Sequence, residues 1–65
     1  MGKPIKQSSE DKVLEAARKE FAEYGFDGAR VDRIAKSAKV NKAMIYYHFK
    51  SKESLYERIL SDLAG

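Results

Sequence analysis

Between positions 33 and 52 the chain carries six cations, Arg33, Lys36, Lys39, Lys42, Lys50 and Lys52, together with His48 and no carboxylate. A solvated helix face ordinarily mixes signs, so a window of one sign points outward to an anionic partner. The same window holds Asn41, Tyr46, Tyr47 and Ser51, whose side chains hydrogen-bond phosphate oxygens. Cations interleaved with such groups suit neutralisation of a nucleic-acid backbone better than they suit bond-making.

The residue types needed for catalysis are sparse. His48 is the single histidine and cysteine is absent, which removes thiolate zinc sites, disulfides and cysteine nucleophiles together. The four glycines stand at 2, 25, 28 and 65, a spacing that builds no phosphate cradle. The acidic pairs Glu10/Asp11 and Glu20/Glu23 lie in polar surface patterns and read as solvated helix charges. The expectation is a binding protein with no cofactor and no enzymatic activity.

A chain of 65 residues holds one small domain. Its 43% hydrophobic content is enough for a core and too much for a disordered tail. No apolar run approaches the ~20 residues of a membrane span, and residues 1–8 lack the apolar stretch of a secretory signal. The net charge of +3 conceals a steep internal pattern. Residues 33–52 carry +6, whereas 9–24 and 53–65 each carry −2.

The elements that must position the basic window follow from periodicity and capping. Residues 1–8 read as a flexible basic arm. Ser8 and Asp11 have capping-box spacing, and Leu14, Ala17, Phe21 and Tyr24 then mark one helical face, with Val13 widening it. Gly25 should close this first helix, over about 9–24, with Phe21 and Tyr24 in the core. Phe26-Asp27-Gly28-Ala29 has the chemistry of a connector. Val31, Ile34, Ala35 and Ala38 predict a second helix over about 30–38, with Asp32, Arg33, Lys36 and Ser37 on its wet side. Asn41 caps a third helix, about 42–48, that turns Ile45 and Phe49 inward, with Tyr46 beside them. Ser51 caps a fourth, with an apolar stripe of Leu55, Tyr56, Ile59, Leu60 and Leu63. The fold class is therefore all-α. The turn between the second and third helices is short, as in a helix-turn-helix whose second helix enters the major groove of DNA.

The residues also carry a resemblance. Ala16-Ala17 followed by Phe21 and Gly25-Phe26, then Val31, Ile34-Ala35, Ala38 and Val40, and above all Tyr46-Tyr47-His48-Phe49 with Ser51-Lys52 and Leu55, closely resemble the tetracycline-repressor (TetR) family of bacterial regulators. The match runs over about residues 10–62. It implies a three-helix, homeodomain-like helix-turn-helix head over 9–50, followed by the first part of a fourth helix, 51–65. In the family that helix leads into a C-terminal domain that dimerises and binds a small-molecule inducer. The implied protein is a cytoplasmic transcriptional regulator, a repressor by preference. It acts as a homodimer on palindromic double-stranded DNA, and the present residues are its monomeric N-terminal part. Three departures stand out. Lys39 occupies a turn position where the family usually has glycine. Ala29 and Arg30 stand where Thr or Ser often caps the second helix, and Asn41 replaces a common Ser or Thr while preserving the cap.

The expected DNA-binding residues are Arg30, Asn41, Lys42, Ala43, Met44, Tyr46, Tyr47, His48 and Lys52. Lys42, Ala43 and Met44 form the first turn of the third helix, nearest base edges. There Lys42 reaches guanine O6/N7 or phosphate, while Ala43 permits close approach or touches a thymine methyl. The plainer alternative is an exposed lysine beside two helix formers. Tyr47 offers its hydroxyl on the groove face. Tyr46, by resemblance nearer the core edge, still reaches the DNA backbone, with pure packing as its alternative. His48, alone and at a helix end, suits a phosphate contact better than a metal. Lys52 lies at a helix N-terminus that already attracts an anion, and Arg30, freed from any capping role, is placed to reach a phosphate. The rival for the whole chain is a helical protein-interaction module that uses the apolar stripe of the fourth helix.

Overall fold

The computed structural model of the chain describes residues 8–64. Four helices follow in order: α1 (Ser9–Gly28), α2 (Val31–Ala38), α3 (Lys42–Phe49) and α4 (Lys52–Ala64). Among the described residues all regular structure is helical. The arm expected over 1–8 lies outside the described residues except for Ser8, whose hydroxyl accepts the Asp11 N–H at 3.2 Å and caps α1.

α1 supplies Val13, Leu14, Ala17 and Phe21 to the core; α2 adds Val31, Ile34, Ala35 and Ala38. Ile45 and Phe49 of α3 and Leu55 and Ile59 of α4 complete it, with Ala29 from the connector. α1 packs against both α2 and α4, so α3 rests on a platform whose angles α1 sets.

The end of α1 departs from expectation. The helix does not stop before Gly25 but kinks there, at φ 74° and ψ 174°, and runs one more turn to Gly28. That backbone region belongs to glycine, although a Cβ at Gly25 would meet open space. The kink exchanges two aromatics. Tyr24, expected in the core, is 47% exposed, and the Arg33 guanidinium lies 4.0 Å over its ring. Phe26, expected in a connector, packs against Phe21 and Tyr56 at ring separations of 6.0 and 5.0 Å.

α2 begins without a side-chain cap of its own, as the loss of Ser or Thr at Arg30 implies. A carboxylate from α1 takes over. Glu20, expected on a wet surface, is only 8% exposed, and its Oε2 accepts the Arg30 N–H at 3.0 Å. The same oxygen accepts Arg33 Nε at 2.7 Å, while Arg33 Nη2 donates to the Gly28 carbonyl at 3.1 Å. Arg33 is thus half-buried rather than on the wet side, because both ends of its guanidinium have work between α1 and α2.

α2 ends at Lys39 in the left-handed conformation, φ 61° and ψ 44°. Val40 N–H then bonds to the Ala35 carbonyl at 3.0 Å and half-buries its side chain against the core, a Schellman closure. The turn is therefore of the glycine type, built with lysine. The Asn41 side chain accepts from Ala43 N–H at 3.1 Å and starts α3. α3 closes on Lys50, at φ 72° and ψ −41°, where Ser51 N–H bonds to the Phe49 carbonyl at 2.8 Å in a γ-turn. The Ser51 hydroxyl accepts from Ser54 N–H at 3.1 Å and caps α4. On α4, Arg58 ties back to Glu10 of α1 at 3.1 Å. Of the stripe expected there, Leu55, Ile59 and part of Tyr56 are covered, whereas Leu60 and Leu63 are 46% and 70% exposed. A straight helix against a small core buries only one narrow side.

Candidate nucleic-acid interface

The two core residues of α3, Ile45 and Phe49, sit one turn apart, and this decides what the rest of the helix presents. Lys42, Ala43, Tyr46, Tyr47 and His48 are exposed, Met44 is half-buried, and the capping Asn41 is exposed beside them. Tyr47 stands furthest out, at 75% exposure, with its ring edge against His48 at 5.2 Å. Tyr46 is 42% exposed, less than Tyr47 but well outside the core. An α-helix with two buried anchors and a polar, carboxylate-free outer face has the shape and charge of a groove-reading element.

Lys36 and Lys39 are exposed on α2 and its closing turn, where they line grooves against α1, and exposed Lys50 follows directly on the end of α3. The αL turn at Lys39 and the γ-turn at Lys50 hold both ends of α3 at fixed angles, so the cations beside it do not depend on a loose loop.

The structure separates three of the residues that sequence reasoning grouped together. Asn41 spends its side-chain oxygen on the α3 cap and retains its amide NH₂ as a free donor group. Lys42 is not a free cation. Its Nζ donates to Asp32 Oδ1 at 2.9 Å, across the turn from α2. This hydrogen bond, followed by the charge itself, holds the Asp32 carboxyl below its ordinary range and raises Lys42, with Arg30 adding a smaller downward pull on Asp32. Arg30, Asp32 and Lys42 therefore share one corner of the face. Lys52 turns inward: its Nζ donates to the Ala29 carbonyl at 3.0 Å and lies 4.6 Å over the Phe26 ring. In this conformation it braces α4 against the α1–α2 connector, and a phosphate would have to draw it away. From sequence Asp32 and Glu20 read only as solvated charges, because their partners are ten or more residues distant.

His48 stands without further ligands, and among the described residues no group of His, Asp and Glu is placed to hold a metal ion. No described helix is long and apolar enough to cross a membrane.

Comparison with known proteins fits this geometry. Residues 13–59 match the family model of bacterial regulatory proteins, tetR family. The chain is 50% identical over 48 residues to the HTH-type negative transcriptional regulator IcaR of the biofilm operon icaADBC from Staphylococcus aureus (strain Newman), covering 74% of this chain and 26% of that protein. It is 47% identical over 58 residues to the probable HTH-type transcriptional regulator YttP of Bacillus subtilis (strain 168), covering 89% of this chain and 28% of that one. The crystal structure of HlyIIR, a hemolysin II transcriptional regulator, superposes with a TM-score of 0.79 at 43% identity, over 82% of this chain and 30% of that one. The chain thus spans between a quarter and a third of the length of these relatives. On the family model that matches residues 13–59, this chain belongs to the tetR family of bacterial regulatory proteins.

Proposed function

We propose that the chain is the sequence-specific DNA-binding head of a bacterial transcriptional repressor, with α3 lying in the major groove. One observation carries the reading: the exposed side of α3 has the Lys42 cation, two tyrosine hydroxyls and an imidazole and no carboxylate, with Lys50 directly after it, while its buried side is fully used by Ile45 and Phe49. In this reading Lys42, Ala43 and Met44 address base edges. Tyr46, Tyr47, His48, Asn41 and Arg30 fix the register on the backbone, and Lys36, Lys39 and Lys50 supply the surrounding field. Lys52 contributes chiefly by setting the angle of α4, and its charge remains within reach of a phosphate.

The domain division that goes with this function is an arm over 1–8, the head over 9–50, and α4 with its flanks, 51–65, as the connection to a ligand-binding and dimerising domain. The whole regulator would then be a cytoplasmic homodimer that reads a palindromic operator and is released by a small molecule bound outside the present residues. By itself the head has one α3 to offer. It binds with modest affinity, about 10⁻⁴–10⁻⁶ M, because two helices about 34 Å apart are what a dimer adds.

The test is a fluorescence anisotropy titration of the chain on a random 20-bp duplex at NaCl concentrations from 50 to 200 mM. Charge-led binding requires Kd to rise by at least about tenfold over that range. A flat salt response would sink the reading and return the chain to an apolar interaction surface on α4.

A further inference from the structure

Asp32 is the single carboxylate on the two helices that carry the basic face, for α2 has no other acid and α3 has none. It is not tucked away. Its side chain is 59% exposed, at the corner shared with Arg30 and Lys42. A carboxylate there is repelled by every phosphate the face approaches, so it works against backbone binding of any sequence. It also occupies Lys42, the first residue of α3 and the cation best placed for base edges, through a 2.9 Å charged hydrogen bond. A cation already paired releases less counterion when a phosphate arrives, because its field is partly spent.

We infer that Asp32 is a specificity-determining residue of the DNA-binding face: it withholds Lys42 from random phosphate contact and yields it where a base pair satisfies both partners. This rests on the DNA-binding reading above. The base pair whose chemistry does so is G·C. Guanine O6 and N7 accept from the Lys42 ammonium, and the cytosine N4 amino group donates to the Asp32 carboxylate. An A·T pair also has one amino donor, but its two acceptors, adenine N7 and thymine O4, lie on either side of that donor, so Lys42 cannot take both together as it takes the adjacent O6 and N7 of guanine. Phosphates offer Asp32 nothing. The ion pair therefore acts as a filter, easily opened at one kind of step and kept closed elsewhere, with the repulsion of Asp32 as its discriminating element.

The experiment uses the wild-type chain, Asp32→Asn, Lys42→Ala and the double variant. Each is titrated by anisotropy on an unselected random 20-bp duplex pool between 50 and 200 mM NaCl, and each is used to enrich that pool before sequencing. Asp32→Asn is expected to bind the unselected pool about 3- to 10-fold more tightly, with a salt slope steeper by about one unit, and to lose a G·C preference that the wild type enriches. In the Lys42→Ala background the same substitution should gain markedly less, since no lysine is left to release. An Asp32→Asn chain with unchanged slope and unchanged enrichment overturns the filter. So does a gain that persists undiminished without Lys42, which would reduce Asp32 to a repulsive charge. A wild type with no salt-dependent binding overturns the DNA reading itself, a result these outcomes do not resemble.

Discussion

The Oε2 atom of Glu20, in the middle of α1, accepts the backbone N–H of Arg30 at 3.0 Å and so caps a helix to which it does not belong. The same atom accepts Arg33 Nε at 2.7 Å, so a single oxygen joins α1, the start of α2 and the first turn of α2. A negative charge at a helix N-terminus is favourable, and here it also fixes the angle between the two helices that carry α3. The pair is the tertiary replacement for the Ser or Thr cap that Arg30 displaces.

Removing that oxygen should therefore unsettle α2. Glu20→Ala is expected to lower stability by about 1–3 kcal/mol, because a part-buried N–H loses its acceptor and Arg33 loses its partner. Adding Arg30→Ser in that background should recover part of the loss by supplying a local cap. Urea unfolding of the wild type, Glu20→Ala and the double variant measures this, and an unchanged midpoint for Glu20→Ala would dismiss the capping role.

Lys39 occupies a conformation that glycine adopts freely and lysine does not. Lys39→Gly should relieve about 1 kcal/mol of strain, partly offset by unfolded-state entropy, and raise the melting temperature. A lower melting temperature in calorimetry would show that the lysine side chain contributes more to the turn than its backbone costs.

Lys50 is strained in a different way, at φ 72° and ψ −41° in the γ-turn between α3 and α4. Lys50→Gly separates two consequences of one residue. Stability should rise by about 0.5–1 kcal/mol, while affinity for random duplex DNA falls and its salt slope flattens by about one unit. If both quantities moved down together, the strain argument would fail at this site.

Tyr47 and Lys52 should differ in stability although both contribute to binding. Tyr47 is 75% exposed, so Tyr47→Ala should leave stability within about 0.5 kcal/mol and weaken specific DNA binding by about 1–3 kcal/mol. Lys52→Ala removes the donor to the Ala29 carbonyl and should cost about 0.5–1.5 kcal/mol of stability as well as binding. Parallel thermal melts and anisotropy titrations distinguish them. A Tyr47→Ala chain that melts early would place that ring in the core's service.

Asp32 should titrate below its ordinary value of 3.8, pulled down first by the hydrogen bond from Lys42 and then by its charge. Because the folded value is the lower one, the pair contributes above the unfolded pKa, and its contribution fades as pH falls through the folded value. Between pH 5 and 8 it is constant. Carboxyl-detected NMR titration reads the midpoint directly, and Lys42→Ala should move it upward. A midpoint indifferent to Lys42 would mean the ion pair does not persist in solution.

How far the sequence was legible depends on the reach of the interactions involved. Ser8, Asn41 and Ser51 were identifiable as caps because a cap bonds to an N–H two or three residues away, and each makes that bond here. A left-handed turn at Lys39 was suggested only by the resemblance, which puts glycine there, whereas the outward residues of α3 were legible through the one-turn spacing of Ile45 and Phe49. Tyr24 and Phe26 were misplaced for a definite reason. Periodicity extrapolates a straight helix, and the Gly25 kink rotates the last turn so that Phe26 takes the inward position.

The sequence by itself determined the four helices, the caps of α1, α3 and α4, the acid-free basic window from 33 to 52 and the motif of the tetR family. All of these are properties of residue order over a few turns. Only the tertiary structure decided that Glu20 is buried under Arg30 and Arg33, that Lys42 is held by Asp32, and that Lys52 points to Ala29 rather than outward. Those partners lie 10 to 23 residues apart along the chain. What brings them within 3 Å is the crossing of α1 over α2 and α4, an angle set by how Phe21, Ile34, Ile45 and Leu55 fill one small core.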